Sequence, residues 1–162
     1  MKFTLFKSKT QPNAHFWQLD IGGELLYESK IFDNFIAALR DAENCRLSLA
    51  DVPVTDENGN SLHRPTQENF PESPLLFRVI PTDNQNWLWE ICSREGDRLM
   101  VSSPFDKKEK AVDFVSAIAS EIYSDAEIVD QHNSHLPYFS FSHHYRETFG
   151  IVDDHPSAQR PR

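Results

Sequence analysis

A pattern of three short strands, a turn and an amphipathic helix occurs twice in this chain. The two copies keep a spacing of 73 residues where the third strand leads into the helix: residues 29–33 (SKIFD) match residues 102–106 (SSPFD). A single three-strand, one-helix unit of about 55 residues is too small to bury enough apolar surface alone. The repeat therefore predicts an α+β fold in which two tandem copies, each ββ-β-α-β, pack about a pseudo-twofold axis.

The second helix carries the clearest periodic signal. Its apolar residues recur at helical spacing and predict one buried stripe: Ala111, Phe114, Val115, Ile118 and Ile122. Asp106 is expected to cap the first turn, with Glu109 completing a capping box, and Asp33 is expected to cap the first helix. The two helices are expected to cover one side of a combined sheet, and each is expected to be followed by a short strand.

Alternating apolar residues predict the strands of each copy. The predicted strands are Lys2–Lys7, His15–Ile21, Glu24–Ser29, Leu75–Ile80, Trp87–Ile91 and Arg98–Ser103. Gly22-Gly23 predicts a tight hairpin, because glycine tolerates the positive φ that two-residue turns require. Asn58-Gly59 predicts a turn after the short strand that we expect within Leu47–Thr55.

These patterns divide the chain into four segments. We expect repeat 1 at residues 1–61, a linker at 62–74, repeat 2 at 75–130 and a C-terminal extension at 131–162. The linker contains three prolines and few apolar residues. The extension is rich in aromatic residues and histidine, and roughly its last ten residues have the polar composition of a disordered segment.

Composition restricts the classes of partner and compartment. The net charge of −9 argues against a nucleic-acid partner, because binding to phosphates needs a basic patch. The sequence has neither the long apolar run of a transmembrane helix nor the pattern of a signal peptide. Cys45 and Cys92 are most simply read as small buried residues in a reducing compartment. We therefore expect a cytoplasmic protein without a membrane partner.

The second copy resembles the YegP-like family, also called UPF0339 or DUF1508. The residues that carry the resemblance are Trp87, Trp89, Gly96, Ser102, Phe105, Lys107, Ala111 and Ile118. The family hairpin is usually Asn-Gly, where this chain has Gly22-Gly23 or Glu95-Gly96, and the usual mid-helix glycine is replaced by Phe114. The resemblance implies a bacterial protein built from tandem copies, or from single copies that dimerise. It implies little about function, since the family is largely uncharacterised.

No catalytic or cofactor motif stands out in the sequence. Asp33, Asp106 and Glu109 could act as acid or base groups, but their capping positions explain them. The pair Ser102-Ser103 lies outside any nucleophile-elbow motif, and neither a phosphate-binding loop nor a dinucleotide fingerprint occurs. We therefore expect no cofactor and lean against an enzyme.

Aromatic residues supply the binding candidates. Trp87 and Trp89 share one strand face, which could stack a ligand ring but is more simply a core face. The C-terminal extension adds four further candidates: Tyr138, Phe139, Phe141 and Tyr145. This aromatic segment is expected to dock on the repeats or on a protein partner.

Histidines supply the weak candidates for a metal site. The extension contains His132, His135, His143 and His144, and imidazoles at such spacing can bind Zn²⁺ or Ni²⁺. Structural metal sites usually add cysteine or a carboxylate at tight spacing, and no cysteine lies nearby. A polar, partly docked segment is the simpler interpretation.

Three hypotheses for function follow. The first is a non-enzymatic binding or protein-interaction module, present as a monomer or a weak homodimer. The second is a small enzyme or ligand-binding protein with its site at the seam between the repeats. The third is a metal-responsive protein that uses the C-terminal histidines.

Overall fold

The computed structural model of the chain describes residues 1–49, 52–63 and 72–136. In chain order the strands are β1 (Lys2–Lys7), β2 (His15–Ile21), β3 (Glu24–Glu28), β4 (Val54–Thr55), β5 (Ser61–His63), β6 (Leu75–Pro81), β7 (Trp87–Ser93), β8 (Arg98–Val101) and β9 (Glu127–Asp130). The helices are α1 (Phe35–Ser48), which follows β3, and α2 (Lys108–Asp125), which follows β8. The α+β class predicted from the sequence is confirmed.

The strands form two mixed sheets, and this corrects the expected single combined sheet. One sheet has the order β3-β2-β1-β9 and the other the order β5-β4-β6-β7-β8. The β1–β9 and β4–β6 pairs are parallel, and the remaining pairs are antiparallel. Each sheet therefore contains one antiparallel meander together with the short strand that follows the other meander's helix.

By their backbone contacts the residues form two compact units. Among the described residues, unit 1 contains residues 1–43 and 126–136, and unit 2 contains residues from Asn44 to Asp125. In unit 1 the largest buried side chains are Trp17, Phe3, Leu5 and Leu19. In unit 2 they include Phe77, Ile91 and Ile122, where α2 packs on β6 and β7.

The short strands β4 and β9 pair in parallel with β6 and β1, and we call them the closing strands. Each of them ends in a turn of the same kind. In unit 2, Asp56 Oδ1 accepts from the amides of Asn58 and Asn60, at 2.9 and 2.8 Å. In unit 1, Asp130 Oδ1 accepts from the amides of His132 and Ser134, at 2.8 and 2.9 Å. A carboxylate that bonds amides two and four residues ahead holds a tight turn.

The residue three positions after each aspartate has a positive φ. Gly59 has a φ of 82°, and Asn133 has a φ of 63°. Glycine and asparagine are the residues that adopt the left-handed region most readily.

The helix starts differ from the predicted caps. The residue that caps α1 is Asn34, whose Oδ1 accepts from the Ala37 amide at 2.8 Å, so the choice of Asp33 was one residue early. The α2 helix begins at Lys108, and the Asp106 carboxylate instead accepts from Lys110 Nζ at 2.9 Å. This pairing with Lys110 is the leading cause of the lowered pKa of Asp106.

Other sequence predictions have mixed outcomes. Gly22 and Gly23 both have positive φ and form the predicted hairpin between β2 and β3. Cys45 and Cys92 are both buried, as expected. The strand β5 was not predicted, and within the described residues no helix has the length and apolar character needed to span a membrane.

Candidate functional site

Three aromatic rings of unit 2 are in contact between β7 and α2, and Trp87 joins them through its backbone pairing with Phe105. We call Trp87, Trp89, Phe105 and Phe114 the aromatic cluster. The Trp89 and Phe114 rings stack with centroids 6.1 Å apart and planes 13° apart, and the Phe105 and Phe114 rings are tilted at 5.7 Å. Phe114 is thus the ring that links the strand tryptophan to the segment leading into the helix.

Backbone hydrogen bonds hold the cluster in place. The amide of Trp87 donates to the Phe105 carbonyl at 2.8 Å, and the amide of Phe105 donates back to Trp87 at 2.6 Å. The Trp89 amide donates to Ser102 Oγ at 3.0 Å, and the Ser102 amide donates to the Trp89 carbonyl at 3.0 Å. The chain before α2 is therefore laid against β7, which sets the helix directly over the tryptophan face.

Phe114 lies outside the buried stripe of α2. The helix buries Ala111, Val115, Ala119 and Ile122, whereas Phe114 is 53% exposed. The predicted stripe was therefore wrong at Phe114. Ile118, also predicted to be buried, is only half-buried, and Ala119 is buried although it was not predicted. Phe114 therefore covers the buried Trp89 with one part of its ring and presents the rest to solvent, which makes it a candidate contact for a ligand or partner.

Trp89 is buried but its polar atom is not satisfied. The side chain is 5% exposed, and its Nε1–H has no hydrogen-bond partner among the described residues. A buried donor left without an acceptor costs about 1–3 kcal/mol. Trp87 is half-buried, so the sequence interpretation of the two tryptophans as a core face holds for Trp89 and only in part for Trp87.

Unit 1 has the same pattern of backbone hydrogen bonds around its buried tryptophan, and we call this pattern the strand frame. The two frames differ in what the indole N–H bonds. The amides of His15 and Phe32 exchange hydrogen bonds with each other's carbonyls, as those of Trp87 and Phe105 do, and Trp17 pairs with Ser29 as Trp89 pairs with Ser102. The Trp17 indole, fully buried, donates from Nε1 to Asp41 Oδ2 at 2.7 Å.

The helix position that faces the indole distinguishes the two frames. Asp41 is the ninth residue after Phe32, and Phe114 is the ninth residue after Phe105. Where α1 offers a carboxylate to the buried indole, α2 offers an exposed ring. The helix position thus supplies a hydrogen-bond acceptor to the indole in unit 1 and supplies none in unit 2.

Positive charge lies beside the aromatic cluster. Lys108 Nζ is 5.1 Å from the centroid of the Trp87 ring, within the range of a cation–π interaction. Lys108 also acts on Asp56 of the β4–β5 turn. Partial burial opposes ionisation of Asp56, but the amides of Asn60 and Asn58, with a smaller effect of Lys108, hold its pKa below the usual range.

Two of the four histidine candidates are among the described residues, and they lie directly after β9. His132 and His135 are exposed; the His132 amide bonds Asp130, and His135 Nε2 lies 3.9 Å from Glu127 Oε1. Within the described residues, no three histidine, cysteine or carboxylate side chains come together as a metal site would need. His143 and His144 lie outside those residues.

The aromatic candidates of the C-terminal extension also fall outside the described part of the chain. They are Tyr138, Phe139, Phe141 and Tyr145, and their role in docking stays a prediction. So do the linker assignment and the disorder predicted for the final residues. The site at the seam between the repeats also stays a prediction.

Sequence reasoning missed Phe105, Phe114 and Lys108 as site residues, although the signal was available. Aligning the two copies places Phe114 against Asp41 and Lys108 against Phe35. A carboxylate at one position and a phenylalanine at its match in the expected second copy indicate that the two positions differ in role. The Asp-x-x-Gly/Asn-x-x-Leu pattern of residues 56–62 and 130–136 likewise predicts the two matching turns.

Comparison with known proteins gives two structural neighbours. No family model and no curated protein matches the chain. The chain is similar to the solution structure of yegP, a protein of unknown function from E. coli, with 12% identity over 80% of this chain and 91% of that chain, at a TM-score of 0.34. It is similar to a UPF0339 protein from Shewanella oneidensis, with 11% identity over 83% of this chain and 98% of that chain, at a TM-score of 0.36.

These neighbours are YegP and UPF0339 proteins, the family that the sequence resembles. At such identities and TM-scores the likeness carries no argument about a site or an activity. The biological role of this chain is therefore argued from its own residues.

Proposed function

We propose that this chain is a non-enzymatic binding module and that the aromatic cluster of unit 2 is its contact surface. The observation that carries the proposal is Phe114, which is 53% exposed although it stacks on the buried Trp89. A helix that packs four small or branched apolar residues inward has no structural need for a large ring beside them.

The composition of the cluster suits recognition. Aromatic anchors dominate the energetics of many interfaces, because they bury large area at low cost in conformational entropy. Here the Phe114 ring contacts Trp89 and Phe105, so its exposed part is backed by further aromatic rings. Lys108, over Trp87, adds a charge at the edge of the surface.

The proposal includes the tandem-copy architecture of a cytoplasmic, bacterial protein. Support comes from the matched hydrogen bonds of Trp17 and Trp89 with Ser29 and Ser102, and from the matched turns at Asp56 and Asp130. Duplicated copies permit one to keep a structural role while the other changes. A monomer or weak homodimer and a protein partner that also meets the C-terminal aromatic segment are parts of the same proposal.

A pull-down with matched variants tests the contact surface. The baits are the full chain, Phe114→Ser and Leu25→Ser, each incubated with lysate of the source organism and read by quantitative mass spectrometry. Leu25 is the matched control because it is also 53% exposed, but it lies on β3 in unit 1. We expect at least one partner retained by the full chain and by Leu25→Ser to fall about tenfold or more with Phe114→Ser, which corresponds to about 1.4 kcal/mol of binding free energy.

Equal retention of every partner by all three baits would refute the aromatic cluster as the contact surface. A full-chain variant with Tyr138, Phe139, Phe141 and Tyr145 changed to serine forms a fourth bait. A partner lost by this variant and retained by Phe114→Ser would move the contact surface to the C-terminal segment.

A further inference from the structure

The indole donor of unit 1 shows which chemical group this frame accepts. Trp17 Nε1 donates to the Asp41 carboxylate at 2.7 Å, a distance typical of a charge-assisted hydrogen bond. The Asp41 carboxylate belongs to α1, whereas Trp17 lies on β2. The frame therefore places an anionic oxygen against a buried tryptophan edge.

In unit 2 the frame lacks that oxygen. The corresponding helix residue is Phe114, and Trp89 Nε1, in a side chain that is 95% buried, has no partner among the described residues. A donor in this state gains the full value of a hydrogen bond when an acceptor arrives, because its desolvation cost has already been met in the folded protein.

We propose that Trp89 Nε1–H binds a carboxylate carried on an apolar or aromatic group of the ligand. This inference rests on the proposed function, since it names the chemistry that the aromatic cluster recognises. The carboxylate takes the role that Asp41 fulfils in unit 1, and the apolar group stacks on Phe114 and Phe105. The carboxylate can belong to a small organic acid or to the carboxyl terminus of a peptide.

The start of α2 carries groups of both signs. Lys108 lies over Trp87, and the first amides of the helix add partial positive charge there. Asp106 is paired with Lys110, and Glu109 is the acidic residue of the first turn. The net charge of the whole chain is −9, so recognition depends on this local arrangement.

The Phe114 ring covers one face of the Trp89 indole. It lies nearly parallel to the indole and is half-exposed. Exposed side chains change rotamer on the picosecond to nanosecond scale. A rotation of Phe114 away from Trp89 uncovers that face of the indole, and the proposed ligand reaches the N–H at the ring edge from there.

The chain has three tryptophans, so the indole N–H signals in a ¹H–¹⁵N spectrum form a compact readout. The probes are phenylacetate, its neutral counterpart phenylacetamide, and the peptide acetyl-Gly-Phe with a free or an amidated carboxyl terminus. Trp89→Phe identifies the Trp89 signal by its loss. We expect a saturable downfield shift of Trp89 Nε1–H with a carboxylate probe, an at least fivefold smaller shift with its amide, and an unmoved Trp17 signal.

Two variants make the test reciprocal. Phe114→Asp supplies an internal carboxylate, so we expect the Trp89 signal to move toward that of Trp17 and to stop responding to the probes. Asp41→Phe removes the internal carboxylate of unit 1, so we expect the Trp17 signal to begin to respond. Circular dichroism of each variant establishes that the helices are retained, and the wild-type titration stands even where a variant does not fold.

Each outcome separates this inference from the proposed function. A response to phenylacetate alone identifies small acids as the ligand source, and a stronger response to the free peptide identifies a carboxyl terminus. Equal shifts with acid and amide would overturn the carboxylate inference and leave the aromatic contact surface standing. No shift with any probe, or equal shifts of all three indole signals, would also overturn it, and the pull-down alone would then decide the proposed function.

Discussion

The two buried indoles, Trp17 and Trp89, lie in the same strand frame but have opposite hydrogen-bond states. Trp17 donates to Asp41 at 2.7 Å, whereas Trp89 has no partner among the described residues and stacks on Phe114. Both are nearly inaccessible to solvent, at 0% and 5% exposure. The backbone hydrogen bonds and the burial of the two indoles are therefore matched. The two frames differ in the helix residue that meets the indole, which is Asp41 in unit 1 and Phe114 in unit 2.

This difference indicates that Trp17 contributes its hydrogen bond to stability, whereas Trp89 keeps a donor that could serve binding. A satisfied donor contributes to folding, while an unsatisfied one weakens folding and is retained where it serves binding. Unit 2 also leaves a large ring on its surface at that point. Two departures from the rules of a well-packed core at one place are a stronger indication of a site than either alone.

Replacing each tryptophan by phenylalanine gives the largest expected contrast. Trp17→Phe and Trp89→Phe remove the same volume from two buried frames, so their packing losses are similar. Trp17→Phe also removes a hydrogen bond to a carboxylate, whereas Trp89→Phe removes a donor that has no partner. We expect Trp17→Phe to cost about 1–3 kcal/mol more in the free energy of unfolding.

Urea unfolding followed by far-ultraviolet circular dichroism measures this difference. The slope with denaturant must stay unchanged for the two midpoints to be compared. Asp41→Asn, which keeps an acceptor oxygen but removes the charge, is the control and should lose only part of the Trp17 contribution. Equal losses for the two tryptophan variants would show that the Trp17–Asp41 bond has no net value, and the comparison would fail.

Placing a carboxylate at position 114 is expected to change the free energy of unfolding by a smaller amount and in the opposite direction. Phe114→Asp offers Trp89 the carboxylate that Trp17 already has, and Phe114→Ala removes the ring without adding an acceptor. We expect Phe114→Asp to be more stable than Phe114→Ala by about 1 kcal/mol, although aspartate is the weaker helix former. Thermal unfolding at matched protein concentration measures it, and an aspartate variant less stable than the alanine variant would contradict the shared geometry of the two frames.

Much of the fold could be predicted from local patterns in the sequence. Alternation in residues 2–7 and 15–21, glycines at the first hairpin, and helical spacing in residues 111–122 each depend on near neighbours. Which strands pair with each other depends on the rest of the chain, and the sequence did not predict these pairings. Nothing local to Val54 indicates that it pairs in parallel with Phe77, or that Ile128 pairs with Phe3.

The site was only partly predictable, for a related reason. Trp87 and Trp89 were singled out by residue type and alternation, and the structure brings both into the aromatic cluster. Phe114 was placed in the buried stripe because helical spacing locates a residue on a face but cannot resolve its edge. Its exposure is decided by the position of α2 over β7, which is a tertiary property.

The smallest expected effect compares the two aspartate-held turns in acid. The amide of Ser134 is the leading cause of the lowered pKa of Asp130, and backbone amides outweigh partial burial to lower that of Asp56. A carboxyl whose pKa is lower in the folded chain stabilises it above the unfolded value, about 3.9 for aspartate. That contribution is lost as the pH falls through the folded value.

We therefore expect Asp130→Asn and Asp56→Asn each to make stability depend less on pH below about pH 4, where the native carboxyl becomes protonated. Asparagine keeps an acceptor oxygen for the turn amides, so the turns themselves should persist. Thermal midpoints measured from pH 3 to pH 7 test this, with Asp113→Asn on α2 as a control that removes the same charge outside either turn. A flatter profile for both turn variants and not for the control supports equivalent turns, and a response from only one would show that the two closing strands are stabilised differently.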